Sequence, residues 1–130
     1  MIQGGESKVV YPNLSFKIVG ILFDVYNIVG SGYLERHYQK ALEFAFTDND
    51  IKYLPQAPYR VRYKEKVIGR YFMDFIIEDK IVLEIKRNDH FSRNDFNQLV
   101  GYLKATGYKL GILASFSSRG LKFKRVLNIN

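Results

Sequence analysis

The chain has 130 residues, of which 47% are hydrophobic and 25% are charged, as is typical of one globular domain. It has no cysteine and only two histidines, His37 and His90. These counts exclude a disulfide framework, a thiol nucleophile, a cysteine-based zinc site and a histidine-only metal site. Any metal would be held by oxygen atoms, which favours magnesium, manganese or calcium.

Lysine and arginine outnumber aspartate and glutamate by 20 to 13, which gives a net charge of +7. Such a surplus favours a polyanionic partner, most simply nucleic acid. No signal peptide is visible, and the apolar run of residues 18–29 is interrupted by Asp24 and is too short to cross a bilayer. We therefore expect a cytoplasmic protein with no membrane association.

The first half of the chain is predicted to be helical. Residues 1–12 have no periodic pattern and are predicted to form an N-terminal arm, before one domain that spans residues 13–130. Apolar residues at helical spacing predict a helix from the N-cap Asn13 to Val29 and a second helix over Tyr33–Thr47.

The second half is predicted to be mostly sheet. Alternating residues predict a three-stranded antiparallel meander, and an apolar strand and a basic strand follow a third helix. The predicted ranges are Tyr53–Lys64, Val67–Ile77, Ile81–Lys86, helix Asn94–Thr106, Tyr108–Phe116 and Leu121–Leu127. The crossover through the third helix should join parallel strands, so we expect an α/β fold with a mixed central sheet flanked by helices.

Two acids and a lysine fall on adjacent strands of the meander. If the hairpin closes at residues 78–80, Asp74 lies beside or diagonal to Glu84, and Lys86 shares a face with Glu84. Charges in such apolar surroundings are rarely buried unless they are paired or bind metal. These residues alone leave both readings open: a salt bridge from Lys86 to either acid, or a functional site.

Two helical pairs complete the pattern. Glu35 and Tyr38 lie three residues apart on one helix, and Gln98 and Tyr102 lie four apart on another, so each pair shares a helix face. Taken alone, each pair is more typical of an ordinary helix surface.

Taken in order, these motifs resemble the PD-(D/E)XK nuclease superfamily, which has a restriction-endonuclease-like fold. The motifs are Gly32-Tyr33-Leu34-Glu35-Arg36-His37-Tyr38, Asp74, Glu84-Ile85-Lys86 and Gln98-Leu99-Val100-Gly101-Tyr102. The first motif is similar to that of the GxxExxY group, and the last to the QxxxY of RecB-like nucleases. Met73 stands where the family name has proline, at a position that is not a ligand.

The resemblance implies a role for each residue. Asp74, Glu84 and the backbone carbonyl of Ile85 would bind Mg²⁺ or Mn²⁺, and Glu35 would reach the same metal directly or through water. His37 and His90 are expected not to be ligands.

Three further residues would act on the reaction itself. Lys86 would orient or help to deprotonate the attacking water. Gln98 would position Lys86 or the phosphate, and Tyr102 would contact the nucleic-acid backbone or support Gln98.

Contacts to nucleic acid are expected from basic and aromatic side chains around this site. The candidates are Tyr38, Arg60, Arg62, Lys64, Arg87, Arg93 and Lys104. The basic stripe on the first strand is also explained by simple solvation of that face. No part of the chain resembles a base-reading module, so we expect little sequence specificity.

The leading hypothesis is a metal-dependent nuclease that acts on DNA. The alternative is a catalytically silent nucleic-acid-binding module, or a partner subunit, that keeps the nuclease fold. The chain has ten tyrosines and ten phenylalanines. This aromatic content also suits a homodimer interface, although a core is its commoner place.

Overall fold

Three helices and five strands follow one another within residues 10–128, which are the residues that a computed structural model describes. The helices are α1 (Pro12–Val29), α2 (Glu35–Asp48) and α3 (Arg93–Thr106). The strands are β1 (Tyr53–Tyr63), β2 (Lys66–Ile77), β3 (Ile81–Lys86), β4 (Leu110–Ser117) and β5 (Gly120–Leu127). All predicted elements are present, with boundaries moved by at most two residues.

The strands form one sheet in the order β1-β2-β3-β4-β5. The pair β3–β4 is parallel and the other pairs are antiparallel. The crossover from β3 to β4 passes through α3, as the sequence predicted. The α/β fold with a mixed sheet and a restriction-endonuclease-like core is therefore confirmed.

The two faces of the sheet carry separate cores. Leu83 and Ile85 of β3 pack in a cluster with α1 and α2, whereas Val82 and Leu113 pack with α3. Every residue of β4 is buried, as expected of a strand covered on both faces. The strands that carry the site are thus held from both sides.

The start of α1 differs from the prediction. Pro12 is the first helical residue, and Tyr11 before it adopts a left-handed conformation with φ of 51°. Proline is favoured at this position because its φ is already helical. The first N–H of a helix also has no acceptor within the helix, so its absence in proline costs no hydrogen bond. Asn13 therefore lies inside the helix, and its prediction as N-cap was wrong.

The predicted arm falls partly outside the described region. Val10 and Tyr11 are partly buried and pack against the core cluster that includes α1. Residues 1–9 lie outside the described residues. Within residues 10–128, no helix has both the length and the apolar character needed to cross a bilayer.

Gly111 lets α3 pack closely on β4, and this contact yields a stability prediction. A Cβ at Gly111 would lie 2.7–2.9 Å from the buried side chain of Leu99. We expect Gly111→Ala to lower the free energy of unfolding by about 1–3 kcal/mol through overpacking, as measured by urea denaturation.

Gly20→Ala is the matched control, because an added Cβ at this exposed helical glycine meets nothing within 4 Å. It should stabilise the protein by up to about 1 kcal/mol. Equal effects of the two substitutions would contradict the packing account.

Candidate active site

Asp74 and Glu84 are fixed where β2 and β3 stop pairing. The regular ladder between these strands runs from Ile77↔Ile81 to Phe75↔Leu83. Beyond it, the backbone N–H of Asp74 donates to Oε2 of Glu84 at 2.8 Å. The backbone N–H of Ile85 donates to Oδ2 of Asp74 at 2.7 Å. Each carboxylate thus accepts a hydrogen bond from the backbone of the other strand, and the two acids lie side by side.

Two glutamines hold Asp74 from the other side. Nε2 of Gln39, on α2, donates to the backbone carbonyl of Asp74 at 3.1 Å, and Oε1 of Gln39 accepts from Nε2 of Gln56 at 3.3 Å. Gln56 lies on β1 opposite Asp74, between the pairs Pro55↔Phe75 and Ala57↔Met73, and has a positive φ of 50°. Positive φ is uncommon for residues other than glycine and often marks functional sites.

Burial and mutual repulsion disfavour the charged forms of both acids. Glu84 is only 3% exposed, and its burial, followed by the charge of Asp74, raises its pKa to about 8. Burial also raises the pKa of Asp74, against the hydrogen bond from the Ile85 N–H. The positive charge of Lys86 lowers both pKa values but does not outweigh burial and repulsion, so the pair needs further positive charge to be stable as two carboxylates.

Lys86 does not supply that charge by direct contact. Among residues 10–128 the ion pairs within 4.0 Å are Lys86–Asp95 and Arg119–Asp89, and neither includes Asp74 or Glu84. The salt-bridge reading left open by the sequence is therefore not the arrangement observed. Two neighbouring carboxyl groups, one buried and one half-buried, fit a hard divalent cation, which typically takes one or two carboxylates with waters.

Helix α3 holds Lys86 beside the acids. Nζ of Lys86 donates to Oε1 of Gln98 at 3.3 Å and lies 3.7 Å from Oδ1 of Asp95. Lys86 and Glu84 share a face of β3, so the ammonium is held on the acids' side of the sheet. The structure thus brings Gln98 and Lys86 together.

Asp95 has a second contact that fixes its position. Its Oδ2 accepts from the backbone N–H of Ser92 at 2.8 Å, and the Ser92 hydroxyl oxygen accepts from the Asp95 N–H at 3.1 Å. This capping box starts α3. Sequence reasoning missed Asp95, although Ser92-x-x-Asp95 is a recognisable capping pattern.

Tyr102 lies on α3, one turn after Gln98. It is 4% exposed, and burial, with the charges of Glu84 and Asp74, raises its pKa to about 12. Its hydroxyl therefore stays protonated at neutral pH. Its ring meets that of Tyr71 edge to face, with centroids 6.2 Å apart.

Glu35 is exposed at the first turn of α2. Its negative charge contributes to the raised pKa values of Asp74 and Glu84, so it faces the pair. Within residues 10–128, however, no three acidic or histidine side chains form a metal-holding group. Glu35 therefore does not join Asp74 and Glu84 in such a group.

The histidines lie outside the site. Nδ1 of His37 accepts from the Leu34 N–H at 3.2 Å at the start of α2. His90 is exposed in the loop before α3.

Tyr38 requires a correction. It was predicted to contact nucleic acid, but it is 0% exposed and its ring stacks on Phe116 with centroids 4.3 Å apart. Its hydroxyl donates to the Gly30 carbonyl at 2.7 Å and accepts from the Tyr33 N–H at 3.3 Å. Tyr38 thus anchors the turn that leads into Glu35 and is too deeply buried to touch a substrate.

The remaining predicted nucleic-acid contacts are exposed. They are Arg60, Arg62, Lys64, Arg87, Arg93 and Lys104. Arg87 also donates to the Tyr33 carbonyl at 2.6 Å, which ties the end of β3 to the turn before α2.

A cleft of about 570 Å³ opens beside Lys86. Its walls come from one side of α3 and from β1 and β2. The lining residues are Tyr59, Tyr71, Lys86, Asn94, Asp95, Asn97, Gln98, Gly101, Tyr102 and Ala105. Sequence reasoning identified only Lys86, Gln98 and Tyr102 of these as functional.

A model of the PD-(D/E)XK nuclease superfamily matches residues 12–126. The chain belongs to this superfamily. Its members generally use divalent metal ions, which agrees with the donor set of Asp74 and Glu84. No curated protein matches the chain significantly.

Two solved structures have a similar fold. The crystal structure of SSO0001 has a TM-score of 0.55 and 21% identity, over 72% of this chain and 49% of that chain. The alkaline exonuclease LHK-Exo from Laribacter hongkongensis has a TM-score of 0.52 and 10% identity, over 83% of this chain and 67% of that chain. This chain thus matches about half of SSO0001.

The raised pKa of Glu84 gives a pH prediction for the metal-free protein. Between its ordinary value of 4.5 and the folded value of about 8, the folded state keeps a proton that the unfolded chain has lost. The free energy of unfolding should therefore fall as pH rises through this range. Denaturant titrations in a chelator should show this fall, reaching a few kcal/mol.

In the Glu84→Gln variant, the side chain at position 84 cannot ionise. The variant should therefore lose most of the decrease in the free energy of unfolding with rising pH, and it should be more stable than wild type near pH 8. Asp24→Asn, at an exposed position of α1, should keep the wild-type profile. Parallel profiles of Glu84→Gln and wild type would show that Glu84 is not held in its neutral form.

Proposed function

We propose that this protein is a metal-dependent nuclease of the GxxExxY group, with a RecB-like QxxxY motif, that hydrolyses DNA with little sequence specificity. One observation carries the proposal: the buried Glu84 and the half-buried Asp74 lie side by side, and among residues 10–128 neither forms an ion pair within 4.0 Å, while an anchored lysine lies on the same face of the sheet. The name of the exonuclease LHK-Exo, whose fold is similar, supports nuclease activity.

Asp74 and Glu84 would hold Mg²⁺ or Mn²⁺ directly, and Glu35 would reach it through water. Ile85 would add its carbonyl, since the N–H of Ile85 points toward Asp74 and both backbone groups of a strand residue face the same neighbour. When bound, the ion supplies Lewis-acid charge at the phosphate and lowers the pKa of the attacking water.

Lys86 supplies a second positive charge. Its ammonium has three donors and no acceptor, and Gln98 and Asp95 hold it in place. It would donate to the attacking water or to a phosphate oxygen, where negative charge grows in the transition state. The protonated Tyr102 would donate a further hydrogen bond to the backbone or to Gln98.

Phosphates away from the scissile bond would meet the exposed basic residues. Arg60 lies directly opposite Arg70 on β1 and β2, and like charges in that relation destabilise a sheet. A bound phosphate would offset this cost. Arg62, Lys64, Arg87, Arg93 and Lys104 would add contacts that carry no sequence information.

Cleavage assays test the catalytic assignment. Purified protein should cut DNA with Mg²⁺ or Mn²⁺ and not in a chelator, and Asp74→Asn and Lys86→Ala should each lower the rate by about a hundredfold or more. Asp24→Asn and Lys17→Ala, on α1, are matched controls that should keep the wild-type rate.

Undiminished cleavage by Asp74→Asn would remove the proposal. Wild type that binds DNA in a salt-dependent, metal-indifferent way without cutting it would instead be the silent binding module. Light scattering on the same samples would distinguish a monomer from a homodimer.

The Arg60–Arg70 pair gives a separate binding prediction. Arg60→Gln should weaken DNA binding similarly for all sequences and lower the slope of log affinity against log salt by about 0.7–0.9. Arg119→Gln, whose side chain pairs with Asp89, is the control and should leave the slope unchanged. An unchanged slope for Arg60→Gln would exclude a phosphate contact at this position.

A further inference from the structure

We propose that the cleft between α3 and the strands β1 and β2 binds an unpaired DNA base next to the scissile phosphate, so that the protein acts on single-stranded DNA. This inference rests on the proposed nuclease function and names its substrate. The evidence is the chemistry of the cleft lining, its shape and its position beside Lys86.

The chemistry of the lining suits a base better than a phosphate. Among the residues of the described region that line the cleft, Lys86 is the one cation, and Asp95 already pairs with it at 3.7 Å. The other polar groups are amides and tyrosine hydroxyls, including those of Asn94 and Asn97. Such groups hydrogen-bond to the edges of a neutral base, whereas phosphates are attracted to unpaired cations.

The strand side of the cleft is aromatic. Tyr59 and Tyr71 lie directly opposite each other on β1 and β2, and both line the cleft with Tyr102. Tyr71 is 54% exposed, so its ring has free surface, while the edge-to-face contact with Tyr102 supports it. Aromatic rings of this kind stack on bases of any sequence.

The helix side leaves room for a planar group. Gly101 and Ala105 lie four residues apart on one face of α3 and line the cleft. An added Cβ at Gly101 would meet no atom within 4 Å. The resulting volume of about 570 Å³ lies in the usual range for small-ligand pockets.

The position of the cleft connects it to the reaction. Lys86 and Gln98 belong both to the cleft lining and to the catalytic group. A base in the cleft would therefore place its own phosphate near Lys86. Bases of an intact duplex are stacked and paired, and cannot enter without unpairing at a cost of a few kcal/mol.

Binding assays without divalent cation test this proposal separately from hydrolysis. Fluorescence anisotropy in a chelator would compare oligothymidylate with an oligomer of the same length built from abasic residues, which has the same charge but no bases. We expect oligothymidylate to bind about tenfold more tightly, from the size of base–aromatic stacking. A duplex carries more phosphate charge than a single strand, so the abasic oligomer is the reference for the contribution of the bases.

Gly101→Leu fills the cleft and Tyr71→Leu removes its exposed ring. Each should lower the affinity for oligothymidylate to the abasic level and leave abasic binding unchanged, and Tyr71→Phe should restore the difference. Gly20→Leu is the control for an exposed helical glycine with open space around it. Phe44→Leu is the control for an exposed ring, since Phe44 on α2 is 63% exposed. Both controls should behave as wild type.

Equal affinity for the two oligomers, or a Gly101→Leu variant that binds like Gly20→Leu, would overturn the base-binding assignment even if the protein cuts DNA. Conversely, the protein could bind oligothymidylate about tenfold more tightly than the abasic oligomer and yet cut no DNA. That result would remove the nuclease proposal and leave the base-binding assignment standing.

Discussion

The structure depends on a pair of reciprocal hydrogen bonds at the point where β2 and β3 separate. The Asp74 N–H donates to Glu84, and the Ile85 N–H donates to Asp74. These bonds replace the next rung of the ladder and bring the half-buried Asp74 beside the buried Glu84. Burial and repulsion make that arrangement costly while both are charged. A divalent cation bound there would offset the cost, so under the proposed function the contacts that build the site would also create its affinity for metal.

The layers on either face of the sheet contribute different parts of the site. From α2, Gln39 holds the backbone at Asp74, while Tyr38 anchors the turn before Glu35. From α3, Gln98 and Asp95 hold the Lys86 ammonium. Because the candidate catalytic groups are held by elements on opposite faces, their relative positions depend on how both layers pack against β3. Packing and chemistry are therefore coupled in this small domain.

Periodicity was enough to predict the fold, because strands buried on two faces and helices with one apolar face leave clear patterns. Hairpin closure at residues 78–80 also predicted that Asp74 and Glu84 meet. The partner of Lys86 was not predictable, since a long flexible side chain can reach several acids and the choice of Asp95 depends on how α3 begins. Gln39 and Gln56 are polar residues without a local signal. Tyr38 was predicted to contact nucleic acid, but its burial shows that its role is in packing.

The central claim is that a divalent cation replaces the proton that Glu84 keeps in the metal-free protein. Calorimetric titration of Mn²⁺ into the protein, repeated in buffers of different ionisation enthalpy, counts the protons released on binding. At about pH 7, below the raised pKa of Glu84, binding should release close to one proton per ion, and at about pH 9.5 close to none. No saturable binding, or binding at neutral pH without proton release, would contradict the account.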